Sequence, residues 1–194
     1  MRTERLLPLL LLAAALLFSG AEKKRNKKMQ TKPKMETAIL AGGCFWGMEE
    51  ILRALPGITE TAVGYTGGKT DNPKYDEVKT GATGHAESIK IKFDPAKISY
   101  GAILDMFFRM HDPTTRGRQG NDVGAQYRSA IFYRGEAQKK EAEAAVKRAQ
   151  ASGRWKKPVT TEIVPAAKFW PAEDYHQDYL KKHPGGYTCH YVRD

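Results

Sequence analysis

Residues 36–55 read ETAILAGGCFWGMEEILRAL, and within them two hydrophobic patterns meet at a pair of glycines followed by a cysteine. The first six residues form the short apolar run that is typical of a buried strand. The apolar residues after the cysteine recur at helical spacing until a Pro-Gly pair ends the pattern: Met48, Ile51, Leu52 and Leu55. This stretch therefore predicts a strand, a glycine turn and a helix with Cys44 at its start.

The start of a helix is a place where a cysteine thiol can become reactive. The first N–H groups of a helix lack partners within it and its dipole is positive there, so we expect the pKa of Cys44 to fall. Three glycines around the cysteine leave room for a ligand, and Phe45 and Trp46 offer that ligand an apolar wall. The alternative is that Cys44 is a small buried hydrophobe or one half of a structural disulfide.

The first 21 residues have the pattern of a secretory signal peptide. Arg2 and Arg5 precede an apolar run over 6–18, and the small residues at 19–21 suit a cleavage site. The run is shorter than the roughly 20 apolar residues of a membrane-spanning helix, and no later run is longer. We therefore expect a periplasmic or secreted protein with no membrane span after cleavage. The alternative is that an uncleaved signal anchors the chain in the membrane.

Residues 22–35 are predicted to be a basic, disordered linker, because they carry seven Lys and Arg residues and almost nothing to bury. The chain of 194 residues has a net charge of +10, of which residues 1–36 contribute +6. The remainder is only mildly basic, so nucleic acid is not an expected partner. The alternative is that the basic segment holds an anionic membrane surface or nucleic acid.

Residues 36–194 fit one domain with a sizeable core. The patterns predict strands over 36–41, 58–65, 86–93, 127–134 and 159–164, and helices after Cys44, after Ser99 and over 136–152. The order from residue 36 to 134 is β-α-β-β-α-β, which usually packs two helices on one face of an antiparallel sheet. We therefore predict an α+β fold with an irregular C-terminal tail after Pro165, including a helical turn around 173–181.

Glu87 stands out because the alternation of its strand places it on the same face as Ile89, Ile91 and Phe93, the face that a sheet buries. Burial disfavours the charged form of a carboxyl, so we expect a raised pKa for Glu87 and a proton ready to donate. The alternative is that Glu87 lies at a frayed strand end and reaches water or a lysine.

Tyr75, Asp122 and Tyr127 lie in or beside two long loops, and loops of that length are often functional. Taken singly, these residues also fit ordinary packing and turn chemistry. The five histidines are expected to be exposed or locally hydrogen-bonded: His85, His111, His176, His183 and His190. No spacing of Cys and His residues fits a metal motif, so neither a metal nor another cofactor is expected.

Cys189 lies five residues from the C-terminus, shortly after a pair of glycines at 185–186. Paired glycines favour a mobile tail, and a mobile thiol can visit another sulfur and retreat, as a resolving cysteine must. The alternative is a static disulfide that ties the tail down.

Four motifs in one order give the sequence a resemblance to a known family. They are Gly43-Cys44-Phe45-Trp46-Gly47, Gly84-His85-Ala86-Glu87, Gln119 to Gly124 with Gln126 to Ser129, and Gly186-Tyr187-Thr188-Cys189. In these motifs, from about residue 37 to 193, the sequence resembles peptide methionine sulfoxide reductase A. The resemblance implies an α/β sandwich with a ferredoxin-like core, which agrees with the predicted order of elements.

The resemblance also implies a reaction, the reduction of the S epimer of methionine sulfoxide, free or in proteins. Cys44 would attack the sulfoxide sulfur while neutral Glu87 supplies a proton to the oxygen. Tyr75 and Tyr127 would donate hydrogen bonds to the same oxygen.

The remaining roles implied by the resemblance concern binding and recycling. Phe45 and Trp46 would hold the S-methyl group, and Asp122 would orient the polar network or bind substrate. Cys189 would attack the sulfenic acid left on Cys44 to form a disulfide, which a thioredoxin-like dithiol would reduce. With one tail cysteine, recycling should be a single intramolecular step, and we expect the protein to be a monomer.

Two other functions are compatible with parts of the sequence. A thiol peroxidase also needs a low-pKa cysteine and a resolving partner, although peroxide has no methyl group for the aromatic pair beside Cys44 to hold. A non-catalytic binding module, anchored by the basic segment, would not need Cys44 at all.

Overall fold

The structure is a computed structural model, and it describes residues 34–194. The predicted signal peptide over 1–21 and residues 22–33 of the predicted linker lie outside the described residues. Within the described range, no helix has the length and apolar character needed to cross a membrane.

Eight strands and five helices make up the described part of the chain. The strands are β1 (Glu36–Gly42), β2 (Ile58–Thr66), β3 (Ala86–Phe93), β4 (Arg118–Gln119), β5 (Asp122–Val123), β6 (Ser129–Tyr133), β7 (Glu162–Pro165) and β8 (Trp170–Pro171). The helices are α1 (Phe45–Arg53), α2 (Tyr75–Val78), α3 (Tyr100–Met110), α4 (Glu136–Ala151) and α5 (Tyr179–Lys182). The predicted α+β class is confirmed.

Six strands form a central sheet in the order β7-β6-β1-β3-β2-β8. Neighbouring strands are antiparallel except β6 and β7, which pair in parallel. Leu40 of β1 lies opposite Ile89 of β3, so the antiparallel register brings the end of β1 beside the start of β3. Cys44 lies just after β1 and Glu87 is the second residue of β3, so the sheet brings these two residues to the same place.

The main core lies between one face of this sheet and helices α1, α3 and α4. Ile89 and Phe93 of β3 belong to it, together with Met48 of α1 and Phe107 of α3. Fully burying an apolar side chain of this size stabilises the fold by about 1.5–3 kcal/mol. A smaller cluster on the opposite face is packed against Phe169, in the chain after β7.

The long, periodic elements were predicted to within a few residues: β1, α1, β2, β3, α3 and α4. Ser99 caps α3 as expected, since its hydroxyl accepts a hydrogen bond from the N–H of Ala102 at 3.1 Å.

The short elements differ from the prediction. Helix α2 and the β4-β5 ribbon lie within the two long loops, and β8 adds an edge strand from the tail that was predicted to be irregular. Strand β6 begins two residues later than predicted because a 3-10 turn over Ala125–Tyr127 precedes it, and β7 begins three residues later. Elements of two to four residues have too few positions to show a hydrophobic period.

Candidate active site

Cys44 lies between β1 and α1, directly before the first helical residue, Phe45. Gly43 precedes it with a φ of +106°, a backbone conformation that residues other than glycine rarely adopt. A Cβ at Gly43 would also lie 2.6 Å from the side chain of Gln119. Cys44 itself is 6% exposed. The predicted junction therefore exists, and it holds the thiol almost completely shielded from solvent.

The expected fall in the pKa of Cys44 is wrong for this structure. Burial raises the pKa of the thiol, and the negative charge of Glu87 raises it further. The N–H of Trp46 lowers the pKa, as a helix N-terminus should, but burial has the larger effect. Cys44 is consequently a neutral thiol in the resting protein.

Glu87 is buried on β3, as its position in the alternating pattern predicts. It is 2% exposed, and its Oε2 accepts a hydrogen bond from the N–H of Phe45 at 3.2 Å. Burial raises the pKa of Glu87 to about 8, with the Phe45 N–H opposing this shift and Asp122 adding to it. At neutral pH the carboxyl is therefore mostly protonated and can donate a proton beside Cys44.

Aromatic side chains surround Phe45 and Trp46. The ring centroid of Phe45 lies 5.9 Å from that of Tyr65 and 5.1 Å from that of His176. Trp46 stacks on Tyr179 at 3.8 Å and donates a hydrogen bond from Nε1 to Nδ1 of His176 at 3.1 Å. Both rings are thus held in place, as an apolar wall for a ligand requires.

Tyr75 and Tyr127 are half-buried beside the Cys44–Glu87 pair. Burial raises the pKa of Tyr75 to about 12, and negative charge on Glu87 and Cys44 contributes to the shift. Burial and the same two groups also raise the pKa of Tyr127. Both phenols therefore remain protonated across the working pH range and are available as hydrogen-bond donors.

Asp122 lies on β5 near both cysteines. Its Oδ1 accepts a hydrogen bond from the hydroxyl of Tyr187 at 3.0 Å. Its Oδ2 is buried and has no hydrogen-bond partner within residues 34–194. A buried acceptor without a partner is unfavourable, so this oxygen is suited to receive a donor from a ligand.

Cys189 reaches the same place from the C-terminal tail, and both cysteines are free thiols. Burial raises the pKa of Cys189 to about 12, the backbone N–H of Cys44 lowers it, and hydrogen bonding to the Asp122 carboxylate raises it. The static disulfide considered for the tail is therefore not present in this structure, while the two thiols lie close enough to influence each other's ionisation.

The tail is docked on the rest of the protein rather than free. Nε2 of His190 lies 2.8 Å from the carbonyl oxygen of Gly42, and the N–H of Arg193 donates to the carbonyl oxygen of Arg109 at 2.9 Å. Both contacts are made by residues just after Cys189, so they hold this end of the tail against the rest of the protein. The expectation of a mobile tail came from the glycine pair, and hydrogen bonds to distant residues cannot be inferred from that pair.

Two histidines and one glutamate belong to the site although they were not predicted there. His176 and His190 are buried and bonded to residues 130 and 148 positions away, so the expectation of exposed or locally bonded side chains is wrong for both. Glu173 accepts hydrogen bonds from the N–H of Tyr75 at 3.0 Å and the hydroxyl of Tyr65 at 2.9 Å. Two features of the sequence could have pointed to these residues: the Glu-x-x-His spacing of Glu173 and His176, and the position of His190 directly after Cys189.

The site therefore combines a cysteine thiol, a protonated carboxylic acid and a second thiol beside fixed aromatic rings. No three His, Cys, Asp or Glu side chains of the described chain come together as metal ligands. Two free thiols beside a neutral acid are typical of an oxidoreductase, and this is the class of protein to which the site points.

Comparison with known proteins gives the particular family. Residues 36–194 match the family model described as peptide methionine sulfoxide reductase. A relative from Mesorhizobium japonicum, peptide methionine sulfoxide reductase MsrA 1, is 56% identical over 158 residues, which are 81% of this chain and 90% of that protein. An MsrA from Nocardia farcinica is 53% identical over 156 residues, covering 80% of this chain and 89% of that protein.

Solved structures agree with the sequence relatives. Mxr1 from Saccharomyces cerevisiae in reduced form superposes with a TM-score of 0.79 at 39% identity, covering 87% of this chain and 98% of that one. The chain belongs to the peptide methionine sulfoxide reductase family, and it is an oxidoreductase of that kind.

Proposed function

We propose that this protein reduces the S epimer of methionine sulfoxide to methionine, both in the free amino acid and in oxidised proteins. One observation supports the proposal most strongly, the buried carboxyl of Glu87 hydrogen-bonded to Phe45 next to the Cys44 thiol. The sulfur of a sulfoxide is a poor electrophile until its oxygen is protonated. A neutral acid beside a thiol therefore suits this substrate.

In the first step, Glu87 gives its proton to the sulfoxide oxygen while the Cys44 sulfur attacks the sulfoxide sulfur. The thiol proton of Cys44 passes to Glu87, so the carboxyl ends the step protonated again. The oxygen then moves from the methionine sulfur to the Cys44 sulfur, as the sulfoxide S–O bond and the S–S bond formed in the attack break. Methionine leaves as the reduced product, and Cys44 is left as a sulfenic acid. In this scheme the thiolate forms only during the reaction, which fits the raised pKa of Cys44 in the resting protein.

The side chains around this pair would orient the sulfoxide. Tyr75 and Tyr127 would donate hydrogen bonds to its oxygen, and their raised pKa values support this role. Phe45 and Trp46 would hold the S-methyl group between fixed aromatic rings. Asp122, with one unpartnered buried oxygen, would orient the polar network or bind substrate.

In the second step, the Cys189 sulfur attacks Cys44, the sulfenic S–O bond breaks, and water leaves as a disulfide forms. With a single tail cysteine, the step would be intramolecular. A thioredoxin-like dithiol would then reduce the disulfide. Supporting this partner, a solved structure shows Mxr1 from Saccharomyces cerevisiae in complex with Trx2, with a TM-score of 0.57 to this chain at 27% identity.

For the core we propose the ferredoxin-like topology. The supporting observation is the strand order β6-β1-β3-β2 within the larger sheet, together with the chain order β1-α1-β2-β3-α3-β6. We also propose a monomer, which size-exclusion chromatography with light scattering would test.

The N-terminal sequence leads us to propose export to the periplasm or the exterior, with cleavage after residue 21. The alternative is membrane anchoring by an uncleaved signal. Sequencing the N-terminus of the mature protein from its host distinguishes them: a start at Met1 would contradict cleavage.

The activity is tested by incubating the protein with dithiothreitol and each epimer of methionine sulfoxide, or with hydrogen peroxide, and measuring methionine or peroxide. We expect turnover of the S epimer and none with Cys44→Ser. Turnover of peroxide without turnover of either sulfoxide would identify a thiol peroxidase and reject the proposal. A non-catalytic binding module does not need Cys44, so it would be favoured if Cys44→Ser left the protein's function intact.

A further inference from the structure

His190 connects the tail cysteine to the strand that leads to Cys44. The residue is 7% exposed, and in its ring Nε2 lies 2.8 Å from the carbonyl oxygen of Gly42 and Nδ1 lies 3.5 Å from Sγ of Cys189. A carbonyl oxygen can only accept a hydrogen bond, so Nε2 carries the ring proton. Nδ1 is then an unprotonated acceptor beside the Cys189 thiol.

We propose that His190 is the general base of the second step and takes the thiol proton of Cys189 as that sulfur attacks Cys44. The proposal rests on the proposed function, since it needs a sulfenic acid on Cys44. His190 touches a reacting atom, which makes it a catalytic residue for disulfide formation rather than for sulfoxide reduction.

The proton and electrons of this step balance without another reagent. The Cys189 proton moves to Nδ1 of His190, and the sulfur electron pair forms the S–S bond to Cys44. The S–O bond of the sulfenic acid breaks, and the leaving hydroxide takes the proton from the imidazolium to become water. The ring returns to its neutral form with Nε2 still hydrogen-bonded to Gly42.

Cys189 needs such a base because its pKa, raised to about 12 by burial, leaves very little thiolate at neutral pH. Burial lowers the pKa of His190 to about 4, so the ring is neutral and Nδ1 is free at the same pH. A base this weak holds the Cys189 proton only in passing, until the leaving hydroxide takes it as the S–O bond breaks. Negative charge on Asp122 favours the imidazolium when it forms, and Arg193 opposes it.

Other titratable groups also face this pair. Asp122 influences both residues, His111 and Arg193 face the His190 ring, and Tyr187 and Cys44 lie near Cys189. Asp122 is the rival base, since its carboxylate lies near the thiol and raises the pKa of Cys189. Geometry favours His190, because Sγ of Cys189 lies 3.5 Å from Nδ1 of His190, whereas Oδ1 of Asp122 is engaged by Tyr187 and Oδ2 has no hydrogen-bond partner within residues 34–194, the Cys189 thiol included.

His190→Gln is the direct test, because the glutamine amide can reach the Gly42 carbonyl from the position of Nε2 but cannot act as a base. Single-turnover experiments without reductant would follow methionine by chromatography and disulfide by mass spectrometry after alkylation. We expect disulfide formation to slow by about 10²-fold or more, within the usual range for a general base. Dimedone should then trap sulfenic acid on Cys44.

Tyr191→Phe serves as the matched control, because Tyr191 is the next residue of the tail, is 62% exposed and keeps its aromatic ring in the variant. The rates of methionine formation and of disulfide formation should both stay unchanged. His190→Asn, which also lacks a base, replaces His190→Gln if circular dichroism shows that the glutamine variant does not fold.

The pH dependence separates chemistry from packing. Without the base, attack needs free thiolate, so the variant's rate should rise about tenfold per pH unit between about pH 6 and 9, whereas the base-assisted rate does not. The ratio of wild-type to variant rates should therefore fall tenfold per unit, and ionisations common to both proteins cancel.

A ratio that stays constant with pH would show that His190 only positions the tail, and an unchanged rate would assign the proton to Asp122. Either result overturns the proposal. If the wild-type protein released no methionine at all, the proposed function itself would have failed, and the same assay would show it.

Discussion

Cys44 and Cys189 lie in regions that are built in different ways. The region around Cys44, residues 36–53, is a strand and a helix whose apolar side chains enter the main core. The region around Cys189, residues 183–194, contains almost no regular structure and is held by separate hydrogen bonds to distant backbone and side-chain groups. The first thiol is therefore fixed by packing, while the second depends on a few replaceable contacts.

The largest expected effect comes from replacing the two cysteines one at a time, which distinguishes their roles. Cys44→Ser should form no methionine, because a serine hydroxyl in this apolar site is a far weaker nucleophile. Cys189→Ser should form one methionine per protein at the wild-type rate and then stop when thioredoxin is the reductant. Quench-flow measurement of methionine per protein checks both results. Continued thioredoxin-supported turnover by Cys189→Ser would contradict the division of roles.

A smaller effect is expected at Glu87, which lies beside Cys44 in the region held by packing. Glu87→Gln should lose about 10²–10⁴-fold of the first-step rate at pH 7, since the amide cannot donate the proton. Because the pKa of Glu87 is about 8, the wild-type rate should fall as pH rises through that value, whereas the variant should show no such fall. Rates measured from pH 6 to 9 test this, and equal profiles would remove Glu87 from the mechanism.

Gly47→Ala should disturb only the tail. An added Cβ would lie 2.7 Å from Nδ1 of His190 and against the hydroxyl of Thr188, so the tail must shift. Disulfide formation should slow by roughly 10- to 10²-fold, as expected for a small misplacement of reacting groups. Methionine formation in the first turnover should persist.

Gly101→Ala is the control for this substitution. It adds a methyl group to another helix, α3, where the added Cβ would meet only the flexible end of Glu141 and Arg148. Both single-turnover rates should stay at wild-type values. Equal slowing of both steps in Gly47→Ala would show that the tail and the body are not separable.

The smallest effect concerns stability. The pKa of Glu87 is about 8 in the folded protein against an ordinary value of 4.5 in the unfolded chain, so the folded state binds more protons between these limits. The stabilisation is complete below about pH 4.5 and is lost as pH rises towards 8. Glu87→Gln should therefore raise the melting temperature relative to wild type more at pH 8 than at pH 5. A pH-independent difference would contradict this.

The comparison also explains what the sequence could predict. Residues 36–55 predicted the strand, the helix and the position of Cys44 because periodic apolar residues determine regular structure locally. The alternation of β3 also predicted the burial of Glu87. The pKa of Cys44 was predicted with the wrong sign, because the helix dipole can be inferred from sequence but the depth of burial cannot.

The tail was predictable only in part. Its motif identified Cys189, but the positions of Glu173, His176 and His190 depend on hydrogen bonds across more than 90 residues of chain. Such contacts follow from the folded sheet and leave no periodic pattern in the tail itself.

The last residues of the chain also decide where a purification tag should be joined. The carbonyl oxygen of Asp194 accepts a hydrogen bond from Nε of Arg154 at 2.8 Å, one residue beyond the contact between Arg193 and Arg109. A tag fused after Asp194 would begin at this contact and would disturb the segment that holds Cys189 in place. A tag placed ahead of residue 34 leaves these bonds untouched.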